Sequence, residues 1–354
     1  MTHFDSDYLE GCHPLILDEL TKTNLRQTVG YANDEFCVEA RQKVLSACGS
    51  PDCEVEFMVG GTQTNATILK AILRPYESVI SVSTGHINGH EAGAVEATGH
   101  KILTLPSHSG KIDIEELERF ISDWRDNKAD YEHVTWPAVV YISQPTELGT
   151  LYTLSEMESL RRVCDKYGLR LFADGARLGY ALAASVNDVT LPDMARLCDA
   201  FYIGGTKVGA LFGEAAVVKR GVIPHFRTVI KQDGALLAKG RLLGVQFSVL
   251  FTDNLYTRIA SNAILCADRM RAGLRRNGVE LLYGSPTNQI FAVVDDKQYA
   301  AVKAITTFTD WGRHIDGRHI VRLITSWATV PEKVDEFLSD FEAAMHPSLS
   351  TVIV

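Results

Sequence analysis

Between about residues 54 and 220 the chain alternates short apolar runs with longer stretches whose apolar residues recur every three or four positions. Runs of four to seven residues match buried strands, and the spaced stretches match amphipathic helices. The pattern predicts strands at 54–59, 78–82, 101–105, 138–143, 169–174, 200–203 and 215–219. It predicts helices at 62–73, 114–126 and 154–167, the last with Thr153 or Ser155 available as a cap. Such alternation builds a mostly parallel seven-stranded sheet covered by helices on both faces. After about residue 240 the pattern shifts to a long helical stretch, 238–278, broken near Asp253. Strands at 289–294 and 320–325 and a helix at 331–345 follow. The expected division is a large α/β unit, 1–240, carrying the N-terminal segment, and a smaller α+β unit, 241–354.

Composition narrows the picture by exclusion. The 354 residues are 46% hydrophobic and 22% charged, with net charge −9. A pI near 5.7 gives no reason to expect nucleic acid or an anionic membrane surface as partner. No apolar run reaches membrane-spanning length. The N-terminus, Met1-Thr2-His3-Phe4-Asp5, lacks the basic and apolar regions of a secretory signal. The seven cysteines form no C-x-x-C and are odd in number, which fits buried thiols in a reducing compartment. A cytoplasmic protein is expected.

The candidate chemistry lies where predicted strands end. In open α/β sheets ligands sit beyond the carboxyl ends of the strands. Asp174 ends one strand in Asp174-Gly175-Ala176-Arg177, and Lys207 follows the next in Gly204-Gly205-Thr206-Lys207. An acid and a lysine so placed are what pyridoxal 5′-phosphate needs: the lysine forms the imine, and the acid keeps the ring nitrogen protonated. A lysine at the end of an apolar strand is costly to bury charged, which makes its amine nucleophilic. Arg177 can reach the ring's 3′-oxygen. Gly60-Gly61-Thr62, between a strand and a helix, lets backbone N–H groups and the helix dipole meet a phosphate. His86 follows the 78–82 strand and can stack on a pyridine ring. Glu147 follows the 138–143 strand and can serve as an acid–base group. His86, His90 and Glu91 invite a metal reading, but Asn88-Gly89 interrupts the helix that such a pair requires, and no metal is expected.

Together these segments resemble the low-specificity L-threonine aldolases, in the β-eliminating-lyase branch of the fold type I (aspartate aminotransferase-like) pyridoxal enzymes. The resemblance rests on Gly60-Gly61-Thr62-Gln63-Thr64-Asn65, the His86-to-Gly93 segment, Asp174-Gly175-Ala176-Arg177-Leu178, Gly205-Thr206-Lys207, and Val321-Arg322-Leu323-Ile324-Thr325-Ser326-Trp327. It implies retro-aldol cleavage of L-threonine or L-allo-threonine to glycine and acetaldehyde. It implies that Lys207 carries the cofactor, Asp174 binds its ring nitrogen, His86 stacks on the ring, and Gly60, Gly61, Thr62 and Thr206 surround it. Arg177, Arg322 and Ser6 would meet the cofactor oxygen and the substrate. Many members have a histidine in an N-T-H-N-G-like turn where this chain reads Pro145-Thr146-Glu147-Leu148-Gly149. The base for the hydroxyl proton thus stays open among His86, Glu147 and water. β-Elimination, transamination and cofactor binding without turnover could use the same pocket; a dinucleotide-binding domain is disfavoured by the missing G-x-G-x-x-G. The resemblance further implies a dimer of dimers. Cations around 226–241, such as Lys231 or Lys239, could then reach a neighbour's phosphate; the alternative for the same stretch is a solvated basic loop.

Overall fold

The computed structural model describes residues 2–107, 109–126 and 132–345. A short strand β1 (Thr2–His3) opens the chain, followed by helices α1 (Pro14–Thr23) and α2 (Glu35–Cys48). The large sheet is built from β2 (Cys53–Met58), β3 (Glu77–Val82), β4 (Ile102–Leu105), β5 (Trp136–Ser143), β6 (Arg170–Asp174), β7 (Ala200–Gly204) and β8 (Glu214–Lys219). Interleaved with these lie α3 (Gly61–Ile72), the single turn α4 (His86–Gly89), α5 (Ile114–Asp126), α6 (Leu154–Tyr167), α7 (Leu178–Ala183) and α8 (Leu191–Leu197). Then come α9 (Phe226–Gln232), α10 (Arg241–Leu250) and α11 (Leu255–Arg276). The small unit adds β9 (Glu280–Leu281), β10 (Gln289–Val294), α12 (Asp296–Ile305), β11 (Thr306–Thr307), β12 (Thr309–Arg313), β13 (His319–Ile324) and α13 (Pro331–Met345).

The sequence pattern placed all seven large-sheet strands, with ends differing by a residue or two. The strand order is β2-β8-β7-β6-β5-β3-β4. Only β8 runs against its neighbours, antiparallel to both β2 and β7. The sheet is therefore mixed: β7 and β8 are joined by the loop 205–213, which is too short for the crossover that a parallel pair needs. From β3 the chain goes outward to β4, then returns to add β5, β6 and β7 on the other side. The direction of winding thus reverses between β3 and β5, and a crevice opens beyond their carboxyl ends.

Local sequence sets the helix ends. Thr153 and Glu156 form a reciprocal capping box at the start of α6, and Gly168 closes it in the left-handed conformation at φ 67°. The long helical stretch breaks where expected: Asp253 and Asn254 both take positive φ, 50° and 53°, a conformation that short polar side chains tolerate best. One apolar cluster under the large sheet includes Leu243, Phe247 and Leu250 of α10 and Ile259 and Ile264 of α11. A second, around the small antiparallel sheet β12-β13-β10-β9, includes Met270 and Leu274 of α11 together with Phe4. Helix α11 thus belongs to both cores; β1 pairs in parallel with β11 as a separate two-stranded sheet, and Ile324 N of β13 donates to Phe4 O at 2.7 Å, which ties the N-terminus to the small unit. No helix among the described residues is long and apolar enough to cross a membrane, and all seven cysteines are free and buried.

Helices α2 and α10 pack so closely at Gly244 that a Cβ there would lie 2.5 Å from the Cys37 nitrogen and 2.6 Å from its sulfur. Alanine in a helix interior ordinarily gains up to about 1 kcal/mol over glycine. Overpacking against backbone costs about 1–3 kcal/mol and here outweighs it. Gly244→Ala should therefore lower stability in chemical denaturation; a more stable variant would show that the two helices part without strain.

Candidate active site

Two loops that carry the candidate residues approach closely. Gly204 N donates to Gly175 O at 2.9 Å, joining the end of β7 to the turn after β6. A Cβ on Gly175 would collide with the Tyr202 carbonyl, and one on Gly204 with the Ala176 backbone. Only glycines let these loops approach so closely. Asp174 and Lys207 are thereby held on adjacent strand ends.

Asp174 is 4% exposed. Its Oδ1 accepts hydrogen bonds from Tyr202 OH at 2.5 Å and Ala176 N at 2.9 Å. Its Oδ2 accepts from Tyr141 OH at 2.7 Å and Asn65 Nδ2 at 2.9 Å. Burial alone would raise its pKa, but the His86 imidazole and these donors prevail and hold it below the usual carboxylate value. Asn65 also donates to Glu91 Oε1 at 2.7 Å, and the same oxygen faces His86 Nδ1 at 2.7 Å. His86, Glu91 and Asp174 thus present ligand-type atoms within 4.8 Å of one another. These atoms are engaged among themselves and with Asn65.

Glu147 is buried beside them. Its Oε1 accepts from His86 N at 2.8 Å and from Ser143 Oγ at 2.6 Å, whereas Oε2 is buried without a partner. Burial raises its pKa, the nearby Asp174 charge adds to the rise, and the Ser143 hydrogen bond and His86 act the other way. Lys207 is partly buried; among the described residues its amine forms no hydrogen bond or ion pair. Desolvation, followed by the Arg177 charge, lowers its pKa. Beneath it Glu214 accepts from Thr206 Oγ1 at 2.8 Å and Gly205 N at 3.1 Å, with a pKa raised by burial to about 8.

Two arginines face the cleft with different partners. Arg177 makes a bidentate pair with Asp7, at 2.7 and 3.0 Å, and Asn288 Nδ2 donates to the same aspartate at 2.9 Å. Arg322, on β13, has no carboxylate partner among the described residues. It donates to Gln289 Oε1 at 3.4 Å and Thr309 Oγ1 at 3.2 Å, and lies 4.6 Å above the Trp311 ring. Its Nε is buried and unpartnered. Desolvation and the Arg177 charge push its pKa down to about 10.

The remaining candidates are placed as follows. Gly60 caps α3 without a side-chain hydrogen bond, so the first N–H groups of that 12-residue helix point outward. Thr62 is exposed there, while Thr64 turns its hydroxyl back to Gly60 O at 2.9 Å. The Thr206 proton goes to Glu214. Ser6 is partly exposed beside the buried Asp7. Of the basic residues at 226–241, Arg227 pairs with Glu56, and Arg241 donates to the Arg26 and Thr23 carbonyls. Lys231 lies 4.2 Å above the Tyr31 ring, and Lys239 is exposed. Sequence reasoning gave no role to Asp7, Asn65, Tyr141, Ser143, Tyr202 or Glu214. The tyrosines carried a signal: a phenol inside a fully buried strand needs a polar partner.

The donor set suits pyridoxal 5′-phosphate. A helix N-terminus opened by glycine offers N–H groups for the phosphate, an ionised buried aspartate suits a pyridinium, and an unengaged amine with a lowered pKa suits an aldehyde.

Comparison with known proteins agrees. The β-eliminating lyase family model matches residues 7–317. A low-specificity L-threonine aldolase from a Pseudomonas species is 30% identical over 351 residues, covering 97% of each chain. The structure of a Leishmania major threonine aldolase superposes with a TM-score of 0.93 at 41% identity, covering 97% of this chain and 99% of that one. Aspartate aminotransferase from Thermus thermophilus shares the fold alone, at TM-score 0.71 and 16% identity. With its mixed seven-stranded sheet, small C-terminal antiparallel sheet and strand-end lysine and aspartate, the chain belongs to the β-eliminating lyase family and, within it, to the threonine aldolases, pyridoxal-phosphate-dependent lyases of fold type I.

Proposed function

We propose that this protein binds pyridoxal 5′-phosphate at Lys207 and cleaves β-hydroxy-α-amino acids between Cα and Cβ, taking L-threonine or L-allo-threonine to glycine and acetaldehyde. The observation that carries this reading is Glu147 Oε2, buried and unpartnered beside the Asp174–His86 cluster. A retro-aldol step needs a group to take the β-hydroxyl proton, and a carboxylate with one oxygen anchored and one free is suited to it. His86, whose Nδ1 faces Glu91, is the other candidate base. When bound, the cofactor supplies an electron sink for the bond that breaks. Asp174 keeps that sink cationic, because its charge is held by four donors and not neutralised by one. Arg322, a cation whose described hydrogen-bond and ring partners are all neutral, binds the substrate carboxylate. Arg177, paired bidentately with Asp7, holds the N-terminal segment against the cleft.

A shared site between two copies is part of the proposal. The N-terminal segment exposes Tyr8, Leu9, Leu15, Leu17, Leu25 and Val29, an unusual density of apolar surface. A symmetric partner would cover it. The cytoplasmic placement remains a proposal, supported by the seven free thiols.

The test is aldehyde release from threonine, allo-threonine and β-phenylserine with added cofactor. Aldehyde without ammonia is expected; ammonia in its place would indicate elimination. Borohydride reduction and peptide mapping should place the cofactor on Lys207, and an adduct on Lys231 or Lys239 would contradict the assignment. Asp174→Asn should fold, bind cofactor and lose about 10²–10³-fold in kcat, the scale for removing a fixed electrostatic group; retention of most turnover would rule Asp174 out as ring partner. Arg322→Lys should raise KM about ten- to a hundred-fold, the range expected for losing a bidentate charged contact, while cofactor absorbance stays unchanged. Unaltered KM would place the carboxylate elsewhere.

A further inference from the structure

Hydrogen bonds run onward from Asp174 to Glu147 through two side chains on one strand. Tyr141 and Ser143, two residues apart on β5, share a face of the sheet. Ser143 and Asp174 are direct partners in the β5–β6 ladder. Tyr141 OH donates to Asp174 Oδ2 at 2.7 Å; Ser143 Oγ lies 3.4 Å from Tyr141 OH and 2.6 Å from Glu147 Oε1. Ser143 is 8% exposed and Tyr141 1%, so water has little access to either.

A serine hydroxyl has one proton and two acceptor sites. With Glu147 ionised, that proton points at Glu147 Oε1. With Glu147 protonated on the unpartnered Oε2, Oε1 becomes a neutral carbonyl oxygen and a weaker acceptor, and the serine proton is released to turn to Tyr141 OH, 3.4 Å away, which continues to donate to Asp174. We infer that Ser143 is a positioning residue with two settings, and that the direction of its hydroxyl couples the charge of Glu147 to the Tyr141–Asp174 pair. The inference deepens the reading of Glu147 as the base and rests on it. A second observation is independent of the serine: the His86 N–H at 2.8 Å fixes the same oxygen, Oε1, and leaves Oε2 unpartnered in a buried position. The carboxyl is therefore held at one end and free at the other. Its charged and titratable neighbours are Asp174 and His86, with the phenols of Tyr141 and Tyr152 also within electrostatic range.

Coupling of this kind has a sign. The Ser143 hydrogen bond favours ionised Glu147. Its loss leaves burial and the Asp174 charge less opposed, so Glu147 should hold its proton to higher pH. The decisive measurement is an infrared pH titration of the apoprotein, with the Glu147 carboxyl band identified as the one missing from Glu147→Gln. In Ser143→Ala the midpoint should rise by about one pH unit, the worth of one charged hydrogen bond. In the holoenzyme the acidic limb of kcat/KM should rise with it, about tenfold lower activity on that limb, while the plateau stays within a few-fold. Ser143→Thr keeps a hydroxyl and should titrate as the wild type. Should the alanine variant not fold, Ser143→Cys replaces it; its weakly donating thiol should also raise the midpoint. A midpoint that does not rise in alanine or cysteine, or one in threonine that matches alanine, overturns the inference. A midpoint that rises while the kinetic limb stays fixed supports the serine setting and overturns Glu147 as the base.

Discussion

Taking a carboxylate out of water costs several kcal/mol unless hydrogen bonds replace the lost solvent. Asp174, at the carboxyl end of a central strand, is 4% exposed and remains ionised. Much of the pocket is arranged around that requirement. Tyr141 and Tyr202 reach it from the two flanking strands, Asn65 from α3, whose N-terminus is the proposed phosphate site, and Ala176 from its own turn. The elements that would hold a cofactor are thus the ones that hold this charge. Changing any of these donors should be felt at the ring-nitrogen site before it is felt in the fold.

A second constraint is the distribution of cations. The Arg177 charge acts on both Lys207 and Arg322 and lowers the pKa of each. Asp7 neutralises Arg177, whereas the described partners of Arg322 are a neutral amide, a hydroxyl and an indole ring. Of the two arginines, the one without a carboxylate partner among the described residues therefore sits on the small-unit strand β13. That asymmetry suits a substrate with a carboxylate at one end and an amine at the other. It also accounts for the way the N-terminal segment threads between the units, since Asp7 reaches both Arg177 and Asn288.

Much of this was legible in the sequence, for physical reasons. Strands buried on both faces leave uninterrupted apolar runs, so Leu171–Ala173 and Ala200–Ile203 announced themselves, and with them the residues that follow, Asp174 and Lys207. The reversed direction of β8 was not legible, because a buried strand has the same composition in either direction. The partners of the charges were also hidden. Asp7 lies 170 residues from Arg177, and Tyr141 and Tyr202 read as strand aromatics, since a phenol's hydrogen bond leaves no periodic trace. Asn65 sat inside a recognised motif, yet its bridge between Glu91 and Asp174 depends on two other loops.

The proposed chemistry requires that Asp174 keep its charge facing the cofactor ring when the cofactor is bound. Nitrogen-15 magnetic resonance of the bound, ring-labelled cofactor reads this directly. A ring nitrogen that stays protonated from acidic to mildly alkaline pH, across the range in which the protein is folded, is the predicted result. A nitrogen with the shift of neutral pyridine near pH 7 would contradict it, and with it the role given to the four donors around Asp174.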